Sequence, residues 1–278
     1  MIMAGGFAVT KEPATDRFAA RFHEAGFSVL AFDYRRLGES GGKPRLVLPI
    51  KHQLADWQAA IDFARTLPDV DPSRIAVWGF SASGGFLLPV AARNPELAAV
   101  IAQTPNVGGL ANARNASRYQ TRTAMLRFTG RGIVDLLGGL VGRAPRLIPL
   151  VGPRGTVSML TMPDAQDGAR ALEADRYPDW QQAVAARSAL RLASYRPGRY
   201  AGRIRSPLLV LVCDQDQATP TELTLRATRR AARREVVRLP GGHYQPFLDG
   251  HEPAVEAQLA FLRQHVLTGA ARPALGLA

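Results

Sequence analysis

"AVWGFSASGGF" (residues 76–86) decides how this chain is read: an apolar run breaks into small residues around two serines. The residues before the break, 74–80, read as a buried strand and those after it, 83–94, as a helix. A nucleophile on so sharp a strand-to-helix turn needs small residues two before and two after it, because the turn brings the backbone against its neighbours. Ser81 has Gly79 at −2 and Ser83 at +2, whereas Ser83 has Ser81 at −2 and Gly85 at +2, so neither meets a strict G-x-S-x-G. Register separates them. A strand over 75–79 puts Ser81 on the turn itself and Ser83 inside the helix, which Gly84 and Gly85 allow to approach the sheet. Ser81 is the candidate nucleophile and Ser83 the alternative.

Outward from this stretch, apolar runs alternate with segments of helical period, the pattern of a parallel sheet covered on both faces. Strands are expected at 2–7, 27–34, 74–80 and 97–104, with helices at 13–26, 50–67 and 83–94. The rhythm stops for nearly a hundred residues and resumes with a strand at 206–214, a helix near 220–233, a strand at 234–240 and a helix near 253–267. The expectation is an α/β core from 1–104 and 202–278, with a mainly helical cap inserted at 105–201. The tail, 268–278, is expected to fray.

The chain of 278 residues carries a formal net charge of +12, nearly all of it from arginine. Residues 105–200 hold 14 Arg against 6 Asp and Glu, a net +8. Arg226, Arg229, Arg230, Arg233 and Arg234 are expected on one solvated stripe of the 220–233 helix. No nucleic-acid motif or stacking aromatic pattern accompanies the charge, so no nucleic-acid partner is expected. The single cysteine, Cys213, rules out an intramolecular disulfide and points to a reducing cytoplasm. No run approaches the length needed to cross a bilayer, and the N-terminal residues do not read as a signal peptide. In "MLRFTGRGIVDLLGGLVG" (125–142) the apolar groups are expected to face the cleft and line an acyl pocket; its glycines weaken any membrane-surface helix.

A serine hydroxyl near neutral pH needs a base. Of five histidines, His23, His52 and His265 fall in helices, and His251 begins one with its ring expected to face solvent. His243, in "LPGGHYQPF", follows the last strand, on the side where open α/β sheets place their chemistry. The orienting carboxylate comes from "CDQDQATP": Asp216, further into the loop, is favoured, with Asp214 left as the alternative.

The order Ser81, Asp216, His243 and the stretches "AGGF", "AFDYRRLGES", "WGFSASGG", "CDQDQATP" and "GGHY" resemble the α/β-hydrolase superfamily over nearly the whole chain. The branch is that of dienelactone hydrolases, X-Pro dipeptidyl peptidase-like (cocaine-esterase-like) hydrolases and polyketide thioesterases or transferases, where the serine elbow often reads G-x-S-x-S-G-G. The resemblance implies an oxyanion hole from the backbone N–H groups of Ala82 and Phe7, and no metal or cofactor. Two departures stand out. The family's usual histidine before the second donor is Gly5, which takes away that side chain's support of the loop. The family's first two strands have no counterpart, so an incomplete N-terminus is expected, and an uncovered strand edge would favour association into a homo-oligomer.

The expected activity is a serine hydrolase acting on a small-molecule carboxylic ester or thioester through an acyl-enzyme. The alternatives are acyl transfer by the same three residues, and a non-catalytic scaffold suggested by Gly5 and the short N-terminus.

Overall fold

The computed structural model describes residues 1–267, the side chain of Leu110 apart. The tail, 268–278, lies outside the described residues. In chain order the elements are β1 (Ile2–Ala4), α1 (Lys11–Glu24), β2 (Leu30–Ala31), α2 (Ile50–Thr66), β3 (Ala76–Phe80), α3 (Ala82–Arg93) and β4 (Ala99–Gln103). After these come α4 (Gly109–Ala116), α5 (Arg122–Leu140), β5 (Leu147–Pro149), α6 (Gly168–Ala171), β6 (Ala183–Ala185) and α7 (Ala186–Ser194). The chain then returns through β7 (Leu208–Cys213), α8 (Thr221–Thr228), β8 (Arg234–Leu239) and α9 (His251–Leu262).

Six strands form one parallel sheet in the order β2-β1-β3-β4-β7-β8. The central strands β3, β4 and β7 are buried throughout, as near-continuous apolar runs covered on both faces must be. Helices α1 and α9 pack together on one face, where Phe18 meets Phe247 edge-on at 5.5 Å. Helices α2 and α3 cover the other. Strand order reverses at β1, so the loops after β1 and β3 diverge to opposite faces and leave a crevice at their C-terminal ends. This is the α/β-hydrolase architecture that the sequence led us to expect.

Several elements are shorter than their apolar runs. The 27–34 run yields only the two-residue edge strand β2, and β1 stops at Ala4 because the chain turns at Gly5 and Gly6, where Val9 N–H donates to the Gly6 carbonyl. Helix α8 ends at Thr228, so the expected arginine stripe is interrupted. Arg226, Arg229 and Arg230 line a surface groove with Arg196 and Arg199, while Arg234 belongs to β8 and donates to the Leu225 carbonyl. His251 does not face solvent: it is buried, edge-on to Phe18 at 4.7 Å, with Nδ1 against the Pro246 carbonyl.

The segment between β4 and β7 holds α4 to α7 and the antiparallel pair β5–β6. Here the expected arrangement is corrected. Helix α5 packs on α7 through Gly132 and Asp135, and most of the apolar groups of 125–142 point away from the cleft. Only Met125 and Phe128 among them line a cavity, one that opens to the surface. Among the described residues no helix is long and apolar enough to cross a membrane.

Candidate active site

Ser81 sits between β3 and α3 with φ 54° and ψ −116°, a conformation that L residues avoid and that a surrounding structure must enforce. Three backbone bonds enforce it. Ser81 N–H donates to the Gln103 carbonyl (2.9 Å), and its own carbonyl accepts from Gly85 (3.0 Å) and Asn106 (2.9 Å). The turn is so tight that a Cβ at Gly79 would lie 2.7 Å from the Ser83 carbonyl carbon, which is why −2 must be glycine.

His243 lies in the loop after β8, its ring buried between Phe80 and Tyr244. Its Nε2 is 3.0 Å from Ser81 Oγ and its Nδ1 is 2.8 Å from Asp216 Oδ2. With Nδ1 donating to the carboxylate, Nε2 is left free to accept the serine proton. Asp216 is itself held by Thr219, whose N–H donates to Oδ1 (2.6 Å) and whose hydroxyl donates to Oδ2 (2.7 Å). Asp214 points elsewhere, accepting from the Arg238 guanidinium at 2.8 Å on the surface.

Ser83 faces inward rather than into the cleft and is fully buried. Trp57 Nε1 donates to the Tyr34 hydroxyl (2.7 Å), the Tyr34 hydroxyl lies 2.6 Å from Ser83 Oγ, and Ser83 donates to the Gly5 carbonyl. If Ser83 spends its proton on Gly5, Tyr34 donates to Ser83, so every group in the chain is satisfied. Trp180 Nε1 donates to the Ala8 carbonyl at 2.8 Å. The loop after β1 is therefore pinned at both ends, although the sequence suggested it would lack support. A Cβ at Gly5 would lie 3.0 Å from the Val9 and Thr10 carbonyl oxygens, so a side chain there would be crowded against the backbone of the loop.

Phe7 and Ala82 line one cavity with Ser81 and His243. Ala82 opens α3, where the first N–H groups have no intrahelical partner and the helix dipole favours negative charge.

Asp164, just before α6, was not singled out by the sequence. Its Oδ2 accepts the backbone N–H of Gln217 (2.8 Å) and of His243 (3.2 Å), and its buried Oδ1 has no partner. One carboxylate thus ties the Asp216 loop to the His243 loop. Burial raises the Asp164 pKa above the ordinary carboxylate value, against the pull of the two N–H donors and of His243. Burial by itself would lower the His243 pKa; the charge and hydrogen bond of Asp216, then the charge of Asp164, outweigh it and leave it raised above 6.5. Thr219 carried a faint signal, three residues after an aspartate in a turn. Asp164 carried none.

The cavity at Ser81 meets a second, mainly apolar one of about 1030 Å³ including its open mouth, the two sharing Asn106, Met159, Leu160, Leu192 and Ala218. Among the described residues no cluster of His, Cys, Asp or Glu could hold a metal ion.

Comparison with known proteins agrees with this architecture. The family model described as serine aminopeptidase, S33 (Hydrolase_4) matches residues 8–247. The quorum-quenching protein AidA of Acinetobacter baumannii (strain MDR-ZJ06) is 37% identical over 269 residues, covering 96% of this chain and 86% of AidA. The thiohydrolase aneE of Aspergillus aculeatus is 30% identical over 159 residues, 57% of this chain and 49% of aneE. Among solved structures, the α/β hydrolase GrgF from Penicillium sp. sh18 superimposes with a TM-score of 0.79 at 24% identity, over 96% of this chain and 89% of GrgF, a likeness of fold. A parallel sheet with a strained serine at its C-terminal edge, and a family match over most of its length, make this chain a hydrolase of the Hydrolase_4 (serine aminopeptidase, S33) family within the α/β-hydrolase superfamily.

Proposed function

We propose that the protein cleaves a carboxylic ester or thioester of a small, acyl-bearing molecule through a Ser81–His243–Asp216 triad. The observation that carries this reading is the imidazole of His243, 3.0 Å from Ser81 Oγ on one side and 2.8 Å from Asp216 Oδ2 on the other. His243 Nε2 takes the hydroxyl proton as Oγ attacks the substrate carbonyl. The resulting oxyanion is met by the N–H groups of Ala82 and Phe7, each such donor worth about 3 kcal/mol in the transition state. Collapse expels the alcohol or thiol, which leaves with the proton from His243. Water, deprotonated by the same imidazole, then releases the acid.

In this reading 105–201 is a cap, and the apolar cavity it shares with the core takes the acyl chain. The name of aneE, a thiohydrolase, is consistent with a thioester substrate of that kind. A cytoplasmic location is proposed with it, on the strength of the lone, buried Cys213. The test is an active-site label. A fluorophosphonate should modify Ser81 of the folded protein and fail to modify the Ser81→Ala or His243→Ala variants. Labelling that persists in Ser81→Ala would overturn the assignment. Adding an alcohol acceptor and analysing products separates hydrolysis from acyl transfer.

A further inference from the structure

Eleven large apolar side chains are exposed among the described residues, and seven of them fall between residues 125 and 141. Leu126, Ile133, Leu137 and Leu140 recur at helical spacing along one side of α5, with Val134 beside them and Val141 at the helix end. Leu126 is 74% exposed, Leu140 77% and Val141 72%. A cluster of apolar side chains of this kind on a folded surface, densest from Ile133 to Val141 and interrupted toward Leu126 by the exposed Thr129 and Gly130, marks an interaction site.

The charge around the stripe has one sign. Arg122, Arg127, Arg131, Arg143 and Arg146 are exposed, and among the described residues none of them pairs with a carboxylate. The one acid between residues 97 and 163 is Asp135, on the opposite side of α5. It is buried, accepting the backbone N–H groups of Arg146 (2.7 Å) and Arg187 (2.9 Å) and facing the Arg187 guanidinium at 3.4 Å. The outer face of α5 therefore presents leucine, isoleucine and valine flanked by arginine, with no exposed negative charge.

We propose that this face docks the protein peripherally on an anionic phospholipid bilayer. An interfacial helix lies in the plane of the headgroups, with its apolar side chains in the acyl boundary and its arginines against lipid phosphates. A second copy of the chain fits the same face poorly, because a two-fold contact would set the same arginines against each other. The glycines that weaken α5 as an isolated helix matter less here, since its inner side is already packed on α7. The inner side also places Met125 and Phe128 in the wall of the apolar cavity that leads toward Ser81. One helix thus separates a lipid-facing surface from the cavity assigned to the acyl chain. The docking itself stands without that assignment; only its use in taking up an amphiphilic ester rests on the proposed function.

The experiment is vesicle flotation of the full chain, which reads binding and not activity. The protein should float with vesicles of phosphatidylglycerol and phosphatidylcholine at low salt, bind pure phosphatidylcholine about tenfold more weakly, and be released as salt rises. The triple variant Leu126→Ser, Leu137→Ser, Leu140→Ser should bind the anionic vesicles about tenfold more weakly. It should melt normally and hydrolyse a short soluble ester as the parent does. Should the triple variant not fold, Arg127→Glu, which leaves the apolar stripe intact, should lower binding to anionic vesicles alone. Failure of the parent to float, unchanged binding by the variants, equal binding to neutral vesicles, or a concentration-dependent dimer in place of flotation would each overturn the proposal.

Discussion

The carboxylate of Asp164 accepts the backbone N–H of His243 at 3.2 Å and that of Gln217 at 2.8 Å, joining the two loops that carry His243 and Asp216. It brings a second negative charge to the imidazole from a segment 79 residues away in sequence.

That charge has a consequence for pH dependence. In the proposed triad His243 acts as a base only when neutral, so kcat/KM should rise with pH through a His243 pKa that Asp216 and Asp164 hold above its ordinary value. Asp164→Asn keeps an acceptor oxygen for the two N–H groups but removes charge that stabilises the imidazolium. The His243 pKa must then fall, and the acid limb should move to lower pH. The groups facing the imidazole and carboxylate here are Asp216, Thr219, Tyr244 and Cys213; the last two have pKa values raised by burial and stay neutral through this range. A pH–rate profile of the variant checks the shift, and a fall in rate with no movement of the midpoint would reduce Asp164 to a scaffold.

Asp216 and Asp214 should behave very differently. Asp216→Asn leaves the shape of the site but loses the charge that fixes the imidazole's tautomer, and kcat should drop by about 10⁴. Asp214→Asn weakens only an exposed contact with Arg238, where ion pairs contribute about 0–1 kcal/mol, and its activity should match the parent. Steady-state kinetics on one activated ester compares the two.

Ser83→Ala tests the buried hydroxyl beside the nucleophile. The change strands the Gly5 carbonyl and the Tyr34 hydroxyl, at a cost of about 1–3 kcal/mol in a denaturant titration. The loop bearing Phe7 loses one of its two pins, so kcat should fall in part, while fluorophosphonate labelling of Ser81 should persist. Loss of all labelling would contradict the division of roles between the two serines.

Ala218 lies where the two cavities meet. Ala218→Leu should narrow the passage and lower kcat/KM for long-chain esters while sparing acetyl esters. Equal loss on both would show that the acyl chain runs elsewhere.

How much of this could be read from sequence depended on how local the cause was. The small residues around Ser81 answer to a turn only a few residues long, and the strand-to-helix break was legible there. The 27–34 run was misleading, since apolar content marks burial while only Leu30 and Ala31 pair in strand register with β1. The apolar content of 125–142 suggested a lining for the cleft but not that Gly132 and Asp135 would pack on α7 and leave the leucines outside. Asp164 meets His243 only because the segment between β4 and β7 folds back over the sheet, and no short pattern encodes that return.

The central claim concerns one covalent bond. Rapid mixing with a p-nitrophenyl ester should give a burst of nitrophenolate equal to the enzyme concentration, and the trapped acyl group should be found on Ser81 by peptide mass. Full turnover by Ser81→Ala, or an acyl adduct on any other residue, would contradict the account.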